Sequence, residues 1–156
     1  MVRILIWVFR RIAFATLAFT LSSSAVFAWK ASVDGAICRL DHEGEVARAS
    51  VTYDPASQLS YSIELTWHDG RWSAAPVFAI DFIGIAPLSI STDRHRLSAN
   101  GETLSVSDSG FGNVLRGIES NSIAVAHLGE QTMGLSLDGA APEVQKFRDC
   151  TIAPSV

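Results

Sequence analysis

Ser109, within Ser107-Asp-Ser-Gly110, has the residue type and setting that a serine hydrolase uses for its nucleophile. Such a serine needs an imidazole within hydrogen-bond reach and a carboxylate to orient that imidazole. His127 or His95 would have to act as the base. The chain is far shorter than a trypsin-like protease, and a serine just ahead of a helical pattern is equally a helix cap. Asp81 is the second candidate. A carboxylate inside Val77-Phe-Ala-Ile-Asp-Phe-Ile83 must be paired, face water or carry a raised pKa. Glu64 belongs to the polar face of the preceding alternating run. If the two runs form a hairpin about Asp69-Gly70, Glu64 and Asp81 can face each other as an acid–base pair. A solvent-open sheet face or an arginine partner accounts for Asp81 without any chemistry.

His42, His68, His95 and His127 are scattered singly, with no i, i+4 pair and no zinc-motif spacing. The first three sit beside charged residues in expected turns, which makes them surface residues. His127 shares a strand face with Ile123 and Val125 and belongs to the core or its rim. The sequence therefore implies no metal and no cofactor. Trp67 and Trp72 flank the Asp69-Gly70 turn. Packed across a hairpin they are structural; exposed, they form a platform for a sugar ring or a partner protein.

The elements that must position these residues are mostly strands. Leu59, Tyr61, Ile63, Leu65 and Trp67 alternate with Ser60, Ser62, Glu64 and Thr66, the strictest period-two pattern in the chain. Ala36–Leu40, Ala47–Tyr53, Leu88–Thr92 and Thr103–Ser107 are shorter strands. Asp41–Glu45 reads as a polar turn and Asp93–Arg96 as a solvated charged turn. Trp72 and then Val77–Ile83 form the return strand of the hairpin. Phe111, Val114, Leu115 and Ile118 follow helical spacing, with Asp108 or Ser109 as cap and Gly117 as a weak point. Ser122–Leu128 and Gln131–Leu137 make a hairpin about Gly129-Glu130. Pro142 suits the first turn of a terminal helix whose Ala141, Val144, Phe147 and Cys150 recur every three residues.

Residues 1–28 read as an export signal: Arg3, Arg10 and Arg11, an apolar run from Ile12 to Leu21, and a small-residue exit at Val26 and Ala28. Cleavage there leaves residues 29–156 as a single β-rich secreted domain with no membrane span. Removing the three arginines and no acids takes the basic residues from 12 to 9 against 16 acidic ones, a net charge of −7. That balance argues against nucleic acid and against anionic lipid as partners. It leaves an envelope protein or a glycan as the expected partner class. Behind an export signal, Cys38 and Cys150 are most simply one disulfide.

Ser136-Leu-Asp-Gly-Ala-Ala-Pro-Glu-Val144, Phe147-Arg-Asp-Cys150 and Gly110-Phe-Gly-Asn-Val-Leu115, with the export signal, resemble small secreted alphaproteobacterial proteins grouped with the invasion-associated locus B family. The resemblance covers about the last third of the mature chain. It implies a β-rich periplasmic domain and transfers no site residues. The expected fold is a mainly β antiparallel sandwich or flattened barrel with one or two short helices. Its C-terminal helix is tied to an N-terminal strand by the disulfide. The expected role is binding or structural, in the periplasm or outside the cell, with a small hydrolase or an inhibitory or accessory subunit of a secreted enzyme as the alternative.

Overall fold

A computed structural model of the protein describes residues 28–152. The export signal expected over residues 1–28 lies, apart from Ala28, outside the described residues. Ten strands and two helices follow in order: β1 (Trp29–Asp34), β2 (Ile37–Glu43), β3 (Ala47–Tyr53), β4 (Tyr61–Trp67), β5 (Phe78–Gly84), β6 (Leu88–Thr92), β7 (Arg96–Leu97), β8 (Thr103–Asp108), α1 (Gly112–Ser120), β9 (Asn121–Leu128), β10 (Gln131–Ser136) and α2 (Ala140–Ile152). Every strand pairing is antiparallel. Six strands form one sheet in the order β1-β2-β3-β4-β8-β7, and four form a second in the order β10-β9-β5-β6.

Alternation along each strand puts one side of each sheet into a shared core. In the six-stranded sheet, Leu40 lies opposite Val51, Val51 opposite Ile63 and Ile63 opposite Val106. The next inner row runs His42, Ala49, Leu65 and Leu104. The facing sheet supplies Phe78, Ile80, Phe82, Ala124, Ala126, Leu128, Met133 and Leu135, all buried. The expected β-dominated sandwich is what forms, and the Cys38–Cys150 disulfide ties β2 to the last turn of α2. Among the described residues no helix is long and apolar enough to cross a membrane.

The two sides of the sandwich differ. On the β1 side, Trp29 is buried, and its indole N–H donates to the Ser136 carbonyl of the opposite sheet. α2 packs along β1 and β2 through Ala140, Val144 and Phe147. Its Glu143 carboxylate accepts the Ala31 N–H, a donor that an edge strand otherwise leaves free. That amide, then the Lys146 ammonium, holds the Glu143 carboxyl below the usual carboxylate range. α1 lies directly on β5. A Cβ at Gly117 would stand 2.5 Å from the Phe82 ring, so the glycine that weakens the helix by propensity is required by packing. On the β6 and β7 side no helix packs along the edge as α2 does, and α1 reaches only β6.

Several local expectations are corrected. β1 precedes the first strand read from the sequence and turns into β2 through Gly35, at φ 59°. β2 runs through the expected polar turn to Glu43. His42 therefore lies on the core face, 3% exposed, stacked 4.9 Å from Trp29. Burial pushes its pKa below 6.5, with the Glu43 charge opposing the shift. The fold thus favours the neutral imidazole. Its stabilising contribution is whole above pH 6.5 and is lost as the pH falls from there through the folded-state value. Urea unfolding from about pH 7.5 to about pH 5 is expected to show declining stability, and His42→Phe a flatter profile over that range. Identical slopes for the two proteins would contradict the assignment.

Candidate binding cleft

Between the uncovered sheet edges lies a cleft of about 410 Å³. Ile63 and Val106 come from one sheet, Phe78, Ile80 and Ile90 from the other, and Phe111 and Val114 from the start of α1. β6 is the edge of its sheet, and β7, at the edge of the other, has only two residues. Ile90 and Val106 accordingly remain half-buried while Phe78, Ile80 and Ile63 behind them are buried. Volume and lining fit a small-molecule site: an apolar floor with a few polar groups at the rim.

Those polar groups are Arg94, Asp108 and Asn113, with Ser91 and Thr92 of β6. Asp108 ends β8 on the core-facing row, where it accepts the Ser109 N–H at 2.6 Å and pairs with the Arg94 guanidinium. The Ser109 amide, and after it Arg94, holds the Asp108 carboxyl below its usual range. Phe111, buried and 5.7 Å from Tyr61, then leads into α1. No side chain caps that helix. The cap expected from Asp108 or Ser109 is not formed, because the helix begins at Gly112 with Phe111 in the cap position, beyond both residues.

A second space, about 720 Å³, adjoins the first through Arg94. It is lined by Arg94, His95, Arg96, Gln58, Ser105 and Ser107, with Ser57 and Leu59. Its position follows from parity: Arg96 pairs with Ser105, and Ser105 with Glu64, on the outer face of the six-stranded sheet. His95, expected in a solvated turn, is half-buried with its ring 6.2 Å from Phe78.

The residues singled out from sequence are not brought together. Glu64 is exposed on the outer face of the six-stranded sheet, and Asp81 lies on the outer face of the other. The core separates them, since packed sheets stand about 10 Å apart. The Asp69-Gly70 hairpin does not exist: β4 pairs with β3 and β8, β5 with β6 and β9, and residues 68–77 cross between the sheets. Trp72 anchors that crossing. Its backbone N–H donates to the Gly101 carbonyl and its indole N–H to the Leu65 carbonyl. At 4% exposure, 5.4 Å from the half-buried Trp67, it cannot serve as part of an open aromatic platform.

Asp81 accepts the Ser89 hydroxyl, and His127 Nε2 lies 3.0 Å from its other oxygen without a directed hydrogen bond. The residue types are those of a triad, but the carboxylate sits in the middle. No imidazole takes a proton from Ser89. Ser109 Oγ donates to Asp108 at 3.3 Å, and neither His127 nor His95 bonds to it. Among the described residues no group of three or more His, Cys, Asp or Glu is placed to hold a metal ion. The cleft residues Ile90, Val106 and Arg94 were not separable from ordinary strand and turn residues in the sequence. Arg94 stood within a charged run with nothing to mark its ion pair.

Compared with known proteins, the chain matches no family model, no curated protein and no solved structure.

The burial of Trp72 yields a direct check. Trp72→Ala is expected to lower unfolding stability by about 3–5 kcal/mol, as truncation of a buried aromatic does, with a smaller effect for Trp67→Ala. Undiminished stability with loss of a bound glycan would instead mark Trp72 as a surface ligand contact.

Proposed function

We propose that this chain is an exported protein of the bacterial envelope that acts by binding, through the cleft between its sheet edges, and not by catalysis. The cleft itself carries the reading. It has an apolar floor built from both sheets, an ion pair at its mouth, and a position away from α2, where only the start of α1 reaches it. The separation of Glu64 from Asp81 and the lack of an imidazole on Ser109 favour binding over hydrolysis. The basic, apolar and small-residue succession at residues 1–28 and the disulfide support export to the periplasm or beyond.

Two readouts test this proposal. Protein recovered from the envelope fraction is expected to have the intact mass of residues 29–156 with one disulfide. The purified protein is expected to bind one equivalent of N-phenyl-1-naphthylamine, a neutral apolar fluorophore, saturably. Val106→Trp, which fills the cleft, and Ile90→Arg, which charges its wall, should each abolish that binding while the protein stays folded by circular dichroism. Binding that survives both substitutions, or none at all to the unaltered protein, would overturn the reading.

A further inference from the structure

The slot on the core side of the six-stranded sheet and the basin on its outer face differ sharply in chemistry and share one residue, Arg94, beside the end of β8 that β7 leaves unpaired. Towards the core, Ile63, Phe78, Ile80, Ile90 and Val106 give an apolar floor, with Arg94 and Asp108 already paired with each other at its lip. Beyond Arg94 the lining changes to Arg94, His95 and Arg96 with the hydroxyls of Ser105 and Ser107 and the Gln58 amide. We propose that slot and basin form one site for a single-chain anionic amphiphile, its apolar tail in the slot and its carboxylate or phosphate head on Arg94 and Arg96. This inference rests on the cleft being the binding site and names the class of its ligand.

The placement of charge supports it. Arg94 gives Asp108 only Nη2, and its remaining guanidinium nitrogens make no hydrogen bond among the described residues. Asp108 is balanced by that contact and by the Ser109 amide. An anion on the basin side of the guanidinium therefore meets Arg94 and Arg96 rather than a free carboxylate. Arg96 is exposed and has no carboxylate within ion-pair distance among the described residues. Three consecutive basic-type residues, Arg94-His-Arg96, stand out on a chain whose mature form carries a net charge of −7. Against that background the basin is the place where an anion is attracted instead of repelled. His95 marks the junction. Its ring lies against Phe78, which is part of the slot floor, and its buried Nδ1 has no partner among the described residues. The volumes, about 410 and 720 Å³, each fall in the range of small-molecule sites. A desolvated tail and a charge-assisted head contact are additive, so a molecule carrying both should outbind either part.

Calorimetric titration of the folded protein with dodecanoate, dodecyl phosphate, neutral monododecanoylglycerol and inorganic phosphate, each amphiphile below its micelle concentration, tests the proposal. At least one of the two anionic amphiphiles is expected to bind about tenfold or more tighter than the neutral one. Arg96→Gln, which lines only the basin, should weaken that preference while leaving N-phenyl-1-naphthylamine binding intact, and Arg94→Gln/Arg96→Gln should erase the preference. Tighter binding of dodecyl phosphate would point to a lysophospholipid-like source, and of dodecanoate to a fatty acid; both uphold the site. Equal binding of charged and neutral chains, or an anion preference that survives the double substitution, would overturn the proposal while leaving the binding function standing. Inorganic phosphate binding as tightly as dodecyl phosphate would also overturn it, since the tail would then contribute nothing. Failure of the fluorophore as well would remove both.

Discussion

The bond between Cys38 and Cys150 spans 112 positions of sequence and joins the second strand to the terminal helix. In the chain-entropy account, closing a loop of that length restricts the unfolded chain by about 4–5 kcal/mol. That is a large share of the roughly 5–15 kcal/mol by which domains are stable. Its second effect is on place. α2 is held along β1 and β2, where it buries Val144 and Phe147, and its Glu143 takes up an amide at the sheet edge. Trp29 closes the same side by bonding across to β10. One flank of the sandwich is thus covalently and sterically sealed.

A sandwich sealed on one flank can tolerate an opening on the other, because the core no longer depends on both. The β6 and β8 side shows what that opening looks like. Edge strands are short, Ile90 and Val106 are half-exposed over a buried floor, and the ion pair of Arg94 with Asp108 stands at the lip. Exposed pairs of this kind contribute little to stability, at most about 1 kcal/mol. Arg94 therefore does little to hold the sheets together.

Much of the architecture was legible in the sequence because it is written in local periodicity. The alternation of Leu59 to Trp67 gave β4, the turn at Gly129-Glu130 gave the β9–β10 hairpin, and the three-residue recurrence through Phe147 gave a helix with Cys150 near its end. What escaped depends on contacts distant in the chain. Asp69-Gly70 has the composition of a hairpin turn, yet Trp72 finds its pocket beneath β4 and draws the chain across to the other sheet. That single crossing separates Glu64 from Asp81. His42 looked like a turn residue until Trp29, from a short strand directly behind the expected export signal, gave it an aromatic face to stack on. The cleft was invisible for a similar reason: β4, β5, β6, β8 and α1 each contribute one to three ordinary residues to it.

The asymmetry between the sealed and the open flank is the claim on which this account rests, and residue-resolved amide hydrogen exchange tests it most directly. With the disulfide intact, amides of β2, β3 and α2 are expected to exchange only through global unfolding, and those of Ser91 to Leu97 through faster local opening. After reduction, α2 and β1 should lose protection ahead of β4 and β9. Equal protection on the two flanks, or loss in β6 to β8 before α2 on reduction, would contradict it.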